Sequence, residues 1–248
     1  MSWFFGKRKV KKASRMEYLI TDDISFDVAE AFRHLKATLS VSMPKKTNGE
    51  GVTVMMTSAC PEDGKTTVAV NLGLMHALSD AKVLLLDADV RKGRVARYFK
   101  KRPYPGLSDC LSGQATLDEV TRKTQINDNF FYIACGTHSP RPYELLESGE
   151  MKKLLKELKN KYDYIIIDTP PLLTLSDALA LVPEVDGTVL VCRHEVSYVS
   201  DIAKTLNTLK FAKANVLGVV VNDYTTSEGE RYKYYSYAEE IINRQNEK

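Results

Sequence analysis

Short apolar runs alternate with longer amphipathic segments along most of this chain, and this alternation determines the predicted fold. Six runs rich in Val, Ile or Leu are candidate strands: 52–57, 83–87, 130–134, 164–168, 188–192 and 216–221. Parallel strands covered on both faces have this composition. Candidate helices lie between them, at 65–79, 144–160, 177–181 and 198–211. The pattern predicts an α/β fold with a doubly wound, mostly parallel sheet and helices on both faces.

A further helix is predicted upstream of the first strand, starting near residue 25. Four apolar residues share one side of this helix: Val28, Phe32, Leu35 and Leu39. Glu30 and Arg33 point away from that side. Residues 42–50 form a polar linker to the first strand, and 91–128 reads as a long crossover with short helices.

Composition is that of an ordinary globular protein, with 44% apolar and 27% charged residues among 248, enough for one sizeable core. No stretch approaches the roughly 18 uninterrupted apolar residues of a membrane-spanning helix, so we expect a cytosolic chain.

The net charge of +3 is unevenly distributed, because the arm 1–16 has six basic and no acidic residues. The slightly acidic remainder argues against nucleic acid as a partner. A solvated terminus is the plain interpretation of the basic run, and the Trp-Phe-Phe cluster beside it makes docking at a membrane surface or on a membrane partner the alternative.

Tyrosine is concentrated at the other end of the chain. Five of the 13 tyrosines fall in the last 25 residues: Tyr224, Tyr232, Tyr234, Tyr235 and Tyr237. Two plain interpretations of this tyrosine-rich segment are a packed aromatic strand and a solvated tail. Charged residues interleave these tyrosines, which argues against burial and favours an exposed segment that serves as a substrate.

A phosphate-binding loop follows the first strand and opens the first long helix. Its residues are Ala59, Cys60, Pro61, Glu62, Asp63, Gly64, Lys65, Thr66 and Thr67. In loops of this type, backbone N–H groups at a helix N-terminus surround the phosphates, the lysine bridges the outer phosphates and the following hydroxyl binds Mg²⁺. Lys65 and Thr66 occupy those two positions. Glu62 and Asp63 put two acids beside the expected phosphate path.

Two acidic strand ends support this interpretation. Asp87 and Asp89 follow the second strand, and Asp168 ends another. Ligands of open parallel sheets bind outside the carboxyl ends of the strands, so we expect these acids to converge on the loop. A Mg²⁺ ion bridging the outer phosphates needs such a carboxylate.

These three motifs together resemble those of a known family. The loop, the Leu-Leu-Leu-Asp-Ala-Asp-Val-Arg segment and the Ile-Ile-Ile-Asp-Thr-Pro-Pro segment are similar to the Walker A, A′ and B motifs of the bacterial tyrosine kinases, or BY-kinases. That family has a P-loop NTPase-like fold related to the MinD and ParA ATPases. The resemblance covers about residues 17–240. It departs from the usual Pro-Gly-x-Gly-Lys loop by placing Glu62 after Pro61.

The resemblance implies an ATP-dependent protein-tyrosine kinase that uses Mg²⁺. The implied catalytic residues are Lys65, Asp87, Asp89 and Asp168, and we assign the general base to Asp87. The implied metal ligands are Thr66, Asp87 and Asp168, while Asn222 joins loop residues 59–67 in binding nucleotide. The tail tyrosines correspond to the family's autophosphorylation cluster.

Self-association is also implied. Glu30, Arg33 and Lys36 are similar to the family's Glu-x-x-Arg-x-x-Arg oligomerisation helix, with lysine replacing the last arginine. On spacing alone, an intrahelical Glu30–Arg33 pair is an equal alternative. The resemblance further implies a ring-like homo-oligomer, a membrane modulator of polysaccharide export, a cognate tyrosine phosphatase, and recruitment to the inner face of the cell membrane for capsule or exopolysaccharide production. The chain then divides into the arm 1–16, a kinase domain 17–223 and a tyrosine-rich tail 224–248.

Two other functions fit the same motifs. A MinD- or ParA-like ATPase switch shares the fold and needs no tyrosine acceptor. Such switches carry a signature lysine five residues before the invariant one, where this chain has Cys60, so the kinase is favoured. A nucleotide-binding adaptor without catalysis is the third interpretation, which the Glu62-Asp63 pair keeps open.

Overall fold

The computed structural model describes residues 19, 26–43 and 49–224, and a seven-stranded sheet forms its centre. The strands are β1 Val52–Ser58, β2 Val83–Asp87, β3 Thr121–Lys123, β4 Phe130–Ile133, β5 Tyr164–Asp168, β6 Gly187–Arg193 and β7 Val216–Asn222. They are ordered β3-β4-β2-β5-β1-β6-β7. Every neighbouring pair is parallel except β3 with β4. The predicted doubly wound, mostly parallel sheet is confirmed.

Helices cover both faces of this sheet. They are α1 Phe26–Ser42, α2 Lys65–Ala77, α3 Val95–Tyr98, α4 Leu107–Leu111, α5 Leu117–Val120, α6 Pro142–Glu147, α7 Gly149–Lys159, α8 Val199–Phe211 and a 3₁₀ helix Asp177–Glu184. Alternate residues of each strand enter different cores, because successive side chains of a strand point to opposite faces. Leu84 and Leu86 join one core, whereas Val83 and Leu85 join the other. The central strands β2 and β5 are therefore mainly apolar up to the aspartate that ends each of them.

The helix predicted over 144–160 is two helices. Ser148 has extended backbone angles and separates α6 from α7. Its hydroxyl caps α7 by accepting the Met151 N–H at 3.2 Å and donates to the Leu145 carbonyl at 2.8 Å. A serine side chain competes with the helical backbone for hydrogen bonds in this way, and the helix breaks at Ser148. The apolar residues keep their helical spacing across this break.

Three other predicted elements differ in extent. The short helix predicted over 177–181 is a 3₁₀ helix that runs on to Glu184. The crossover 91–128 contains α3, α4 and α5, as predicted, and also the polar strand β3, which has no apolar alternation to mark it. Helix α1 extends to Ser42, into the predicted linker.

Helix α1 buries only some of the four apolar residues that are predicted to share one of its sides. Leu39 is buried and Leu35 packs against the core that also contains α2. Val28, on the same side of the helix, is 42% exposed and does not share the burial of Leu39. The helix contacts the body through its C-terminal half, since Lys36 also bonds to Ser79 just beyond α2. Among the described residues, no helix combines the length and apolar character that crossing a bilayer requires.

His76 is a buried titratable side chain near the end of α2. It is 2% exposed, and its ring stacks on Tyr164 with 3.8 Å between centroids. Burial, assisted by the charge of Lys36, lowers the pKa of His76 to about 4. The ring therefore stays neutral in the folded chain at pH values where an unfolded chain takes up a proton.

We expect this histidine to make the fold sensitive to acid. Its folded pKa lies below the unfolded value, so its contribution to stability is complete above about pH 6.5 and is lost as the pH falls towards 4. The loss is about 3 kcal/mol at pH 4. Denaturant unfolding of the wild type and His76→Phe between pH 4 and 7.5 measures it, with exposed His138→Asn as control. Parallel stability profiles for wild type and His76→Phe would contradict the prediction.

Candidate functional site

The predicted phosphate loop lies between β1 and α2, at the carboxyl edge of the sheet. Gly64 precedes α2 with a φ of 93°, in the left-handed region. A Cβ atom there would also lie 1.9 Å from the Asn222 amide nitrogen, so only glycine fits. The first N–H groups of α2 have no intrahelical acceptor and carry the positive end of the helix dipole. The loop therefore offers backbone donors to an anion, as expected.

Asp63 does not face the phosphate path, contrary to the expectation from sequence. It is 2% exposed, and its carboxylate accepts the Cys60 N–H at 3.0 Å and the Ser197 hydroxyl at 2.8 Å. Asn222 donates to the Asp63 carbonyl at 3.2 Å. The carboxylate of Asp63 therefore stabilises the loop by accepting hydrogen bonds from Cys60 and Ser197.

Glu62 does lie on the exposed side of the loop. Its side chain is 71% exposed, with a carboxylate oxygen 3.9 Å from Arg94. Its φ is 68°, the left-handed conformation that glycine adopts without cost. A glycine is usual at this position in the family that the motifs resemble, and this backbone angle is the physical reason.

The hydroxyls that follow the lysine have different partners. Thr66 is buried and donates to Asp168 at 2.6 Å. The Thr67 hydroxyl lies 2.6 Å from that of Tyr98 on α3. Lys65 is half-buried at the start of α2. Thr66 is thus the loop hydroxyl joined directly to the acidic strand ends.

The acids of the strand ends converge as expected. Asp87 and Asp168 are register partners on β2 and β5, and both are fully buried. Asp87 accepts the Val95 N–H at 3.0 Å and the Asp89 N–H at 3.3 Å. Asp89, 9% exposed, accepts the Lys92 N–H at 2.9 Å. Oδ1 of Asp168 is buried and has no hydrogen-bond partner among the described residues.

Burial, together with neighbouring carboxylates, raises the pKa of both acids. The pKa of Asp87 is raised well above its usual value, first by burial and then by the neighbouring Asp168. Burial raises the pKa of Asp168 to about 6, against the opposing effects of Lys65 and the Thr66 hydroxyl. Buried acids of this kind are stabilised in their charged form by a cation.

The donor set fits a small hard cation. An unpartnered carboxylate oxygen of Asp168, the Thr66 hydroxyl and the nearby Asp87 are all oxygen ligands, which Mg²⁺ prefers. The described residues contain no group of three or more His, Cys, Asp or Glu side chains that would enclose a metal. Magnesium at phosphate sites needs only one or two carboxylates besides the phosphates, so the fit stands.

The start of the tail is attached to the same edge of the sheet. Arg193, at the end of β6, bonds to Asp223 at 2.9 and 2.7 Å. The His194 N–H donates to the Asn222 carbonyl at 2.9 Å, and the His194 ring lies edge-on to Tyr224 at 4.7 Å. Tyr224 is 56% exposed. Other predicted acceptors, Tyr232, Tyr234, Tyr235 and Tyr237, lie outside the described residues, as does the arm 1–16.

Two charged surface features have partners within the chain. Glu30 and Arg33 form the intrahelical ion pair that the spacing left as an alternative. Arg91, which follows Asp89 closely in the sequence, forms a salt bridge with two bonds to buried Asp177 at 2.6 and 3.1 Å.

Ser197 was not identified from the sequence. It follows β6 in a loop with no motif, and its bond to Asp63 joins residues 134 positions apart. Only the three-dimensional fold brings this hydroxyl to the phosphate loop.

Comparison of folds places this geometry among nucleotide-binding proteins. The kinase domain of the Escherichia coli tyrosine kinase ETK matches with a TM-score of 0.73 and 33% identity, over 80% of this chain and 78% of that one. The septum site-determining protein MinD of Pyrococcus horikoshii, complexed with Mg-ADP, matches with a TM-score of 0.60 and 28% identity, over 72% of each chain.

Comparison of sequences gives closer agreement with kinases. A family described as an AAA domain matches residues 62–218. The tyrosine-protein kinase YwqD of Bacillus subtilis is 36% identical over 182 residues, which are 73% of this chain and 76% of that protein. A putative tyrosine-protein kinase, EpsB of Ralstonia solanacearum, is 33% identical over 91% of this chain. The chain spans only about 30% of that longer relative.

Replacement of Glu62 separates backbone strain from charge. We expect Glu62→Gly to raise the free energy of unfolding by about 0.5–1 kcal/mol, because glycine adopts a positive φ freely. Glu62→Gln keeps the strain and should change stability by less than about 0.5 kcal/mol. Denaturant unfolding of both variants checks the prediction. Equal stability of the two variants would remove backbone strain as the distinguishing feature of this loop.

Proposed function

Because the chain belongs to the bacterial tyrosine kinase family, we propose that it is an ATP-dependent protein-tyrosine kinase that phosphorylates its own C-terminal tyrosine cluster. One observation carries the proposal. The carboxylates of Asp87 and Asp168 are buried side by side where two strands end, and Asp168 is bonded to Thr66 of the phosphate loop. A buried acidic pair beside a phosphate loop suits phosphoryl transfer, which depends mainly on positioning and charge neutralisation.

Loop residues and Asn222 would hold the nucleotide. The N–H groups at the start of α2 face the phosphates, and the Lys65 ammonium neutralises charge on the outer two. Asn222 sits against Gly64 and fixes the loop through the Asp63 carbonyl. Thr66, Asp87 and Asp168 would hold Mg²⁺, which supplies charge neutralisation between the outer phosphates when bound.

Asp87 accepts the phenolic proton in this proposal. As that O–H bond breaks, the tyrosine oxygen bonds to the γ-phosphorus and the bond from phosphorus to the β–γ bridging oxygen breaks, so the electron pair leaves with ADP. The Asp87 carboxylate lies beside Asp168 where β2 and β5 end, and there it would accept a hydrogen bond from the phenol. Asp89 is slightly exposed beside it and assists at the metal.

An ATPase switch is the alternative activity, and the fold similarity to MinD supports it. Two features favour the kinase. Cys60 occupies the position of the signature lysine, and the relatives at higher identity are named tyrosine-protein kinases. Steady release of phosphate without labelling of tyrosine would identify a switch instead.

Partners follow from the same proposal. The chain would assemble with itself in a ring in which one subunit offers its tail to the next, and Glu30, Arg33 and Lys36 would contribute to the contact. It would act in the cytoplasm at the inner face of the membrane, with a membrane modulator of polysaccharide export and a cognate tyrosine phosphatase. Capsule or exopolysaccharide synthesis is the process that it would regulate.

Loss of Lys65 tests the phosphate loop. We expect Lys65→Met to abolish tyrosine labelling by Mg-ATP, because methionine keeps the length of the side chain but not its charge. Asp87→Ala and Asp168→Ala should each lower the rate at least about tenfold while the fold is retained. Phosphotyrosine mass spectrometry and circular dichroism measure both properties.

A variant with phenylalanine at all five tail tyrosines is the matched control. It should bind ATP normally and lose most of the label. Label on a buried tyrosine such as Tyr98 would refute the tail as acceptor, and wild-type labelling of Lys65→Met would refute the loop assignment.

Self-association through α1 is tested by mass. The intrahelical Glu30–Arg33 pair is worth only about 0.2–0.5 kcal/mol, so its loss should leave the subunit folded. We expect the Glu30→Ala/Arg33→Ala protein to show a lower mass by light scattering than the unphosphorylated wild type. Equal masses would remove these two residues from the assembly.

A further inference from the structure

The segment 91–102 is strongly basic, although the whole chain has a net charge of only +3. It contains seven basic and no acidic residues: Arg91, Lys92, Arg94, Arg97, Lys100, Lys101 and Arg102. The segment runs from the end of β2 through α3. A local excess of this size attracts anions unless nearby carboxylates neutralise it.

This segment forms one wall of a cleft of about 610 Å³. The turn after β4 forms another part, through Cys135 and its neighbours, and Pro103 and Tyr104 also line the cleft. Tyr104 is 53% exposed, so the cleft has an aromatic surface as well as basic side chains. No acidic residue lines it among the described residues.

Two residues that line the cleft lie against the carboxylate of Asp87, to which the base is assigned. Gly93 and Cys135 line the cleft. A Cβ atom on Gly93 would lie 2.5 Å from Oδ2 of Asp87 and 2.6 Å from the Cys135 sulfur. Gly93 and Cys135 therefore pack closely around the Asp87 carboxylate, which is itself buried and does not line the cleft. A molecule held in the cleft lies against the residues that pack on Asp87.

The basic residues of the cleft differ in what neutralises them. Arg91 is bonded to Asp177, and Arg94 lies 3.9 Å from Glu62. Lys92 and Arg97 are exposed, and within the described part of the chain neither forms an ion pair. These two charges are the ones free to bind an anion.

We propose that this cleft is the acceptor subsite, where Lys92 and Arg97 bind acidic side chains flanking the tyrosine to be phosphorylated. The inference rests on the kinase activity proposed above and adds the recognition of the acceptor. The occupant is segment 225–240 of a second copy of this chain. That segment has two acids on either side of its tyrosines: Glu228, Glu230, Glu239 and Glu240.

Shape and position favour this occupant over an anionic membrane. The cleft is concave and is walled by Gly93 and Cys135, which pack on Asp87, whereas a membrane surface is broad and flat. Pro103 and Tyr104 provide a surface for a phenol ring beside the basic side chains. The combination of free cations, an aromatic wall and an adjacent base matches a tyrosine in an acidic peptide.

Peptide kinetics test the subsite. The full-length chain is assayed with Mg-ATP and a synthetic peptide of residues 225–240, beside a peptide in which all four glutamates are glutamine. We expect Lys92→Glu/Arg97→Glu to raise KM for the acidic peptide at least about tenfold, with kcat within about twofold, since a lost charge-assisted contact costs about 1.4 kcal/mol or more. The glutamine peptide should show a similarly raised KM with the wild type and no further rise with the variant.

A matched control places the same charge change elsewhere. Lys153→Glu/Lys156→Glu alters two exposed residues of α7 and should leave KM unchanged. A peptide with the four glutamates changed to lysine should be phosphorylated better by the Lys92→Glu/Arg97→Glu variant than by the wild type. Binding of a fluorescent ATP analogue should be equal in all three proteins.

The outcomes separate the two proposals. If the wild type labels no peptide while binding ATP, the kinase proposal fails. If it labels the acidic peptide and the cleft variant has the same KM, the subsite is refuted and the kinase stands. Weaker binding of the ATP analogue by the cleft variant would assign these residues to the nucleotide instead. Unchanged KM with loss of sedimentation on phosphatidylserine vesicles would assign the segment to a membrane.

Discussion

The burial of two carboxylates at adjacent strand ends is the constraint on which the rest of this structure depends. Asp87 and Asp168 face the same edge because β2 and β5 are parallel and in register. Two like charges without water repel each other, so such a pair requires protons or cations close by. Lys65, the Thr66 hydroxyl and the backbone N–H of Val95 supply part of that compensation. The unpartnered oxygen of Asp168 marks where compensation is incomplete.

The phosphate loop is held by contacts from distant parts of the chain. Asp63, whose charge seemed from the sequence to oppose phosphate binding, accepts hydrogen bonds inside the loop and from Ser197. Asn222 adds a bond from the end of β7. A carboxylate that is buried and accepts hydrogen bonds in this way organises the loop around it.

Helices and strands whose apolar residues follow a regular pattern were predictable from the sequence. The six apolar strands and the convergence of Asp87 with Asp168 follow from burial on both faces and from the geometry of parallel sheets. The break at Ser148 was not predictable from the period, because the apolar stripe continues through it. Nor were the partners of Asp63 and Arg91, since Ser197 and Asp177 are remote in sequence and carry no motif. Motifs identify which residues meet at a site, whereas the contacts that orient those residues depend on the complete fold.

The ion pair between Arg193 and Asp223 fixes the origin of the chain that follows. Whatever conformation that chain adopts, it spans at most about 3.3–3.6 Å per residue. Tyr232 and Tyr237 are eight and 13 residues beyond Tyr224. Their greatest possible distances from Tyr224 are therefore about 28 and about 45 Å. A phosphate group that lies between these two limits is within reach of Tyr237 and out of reach of Tyr232.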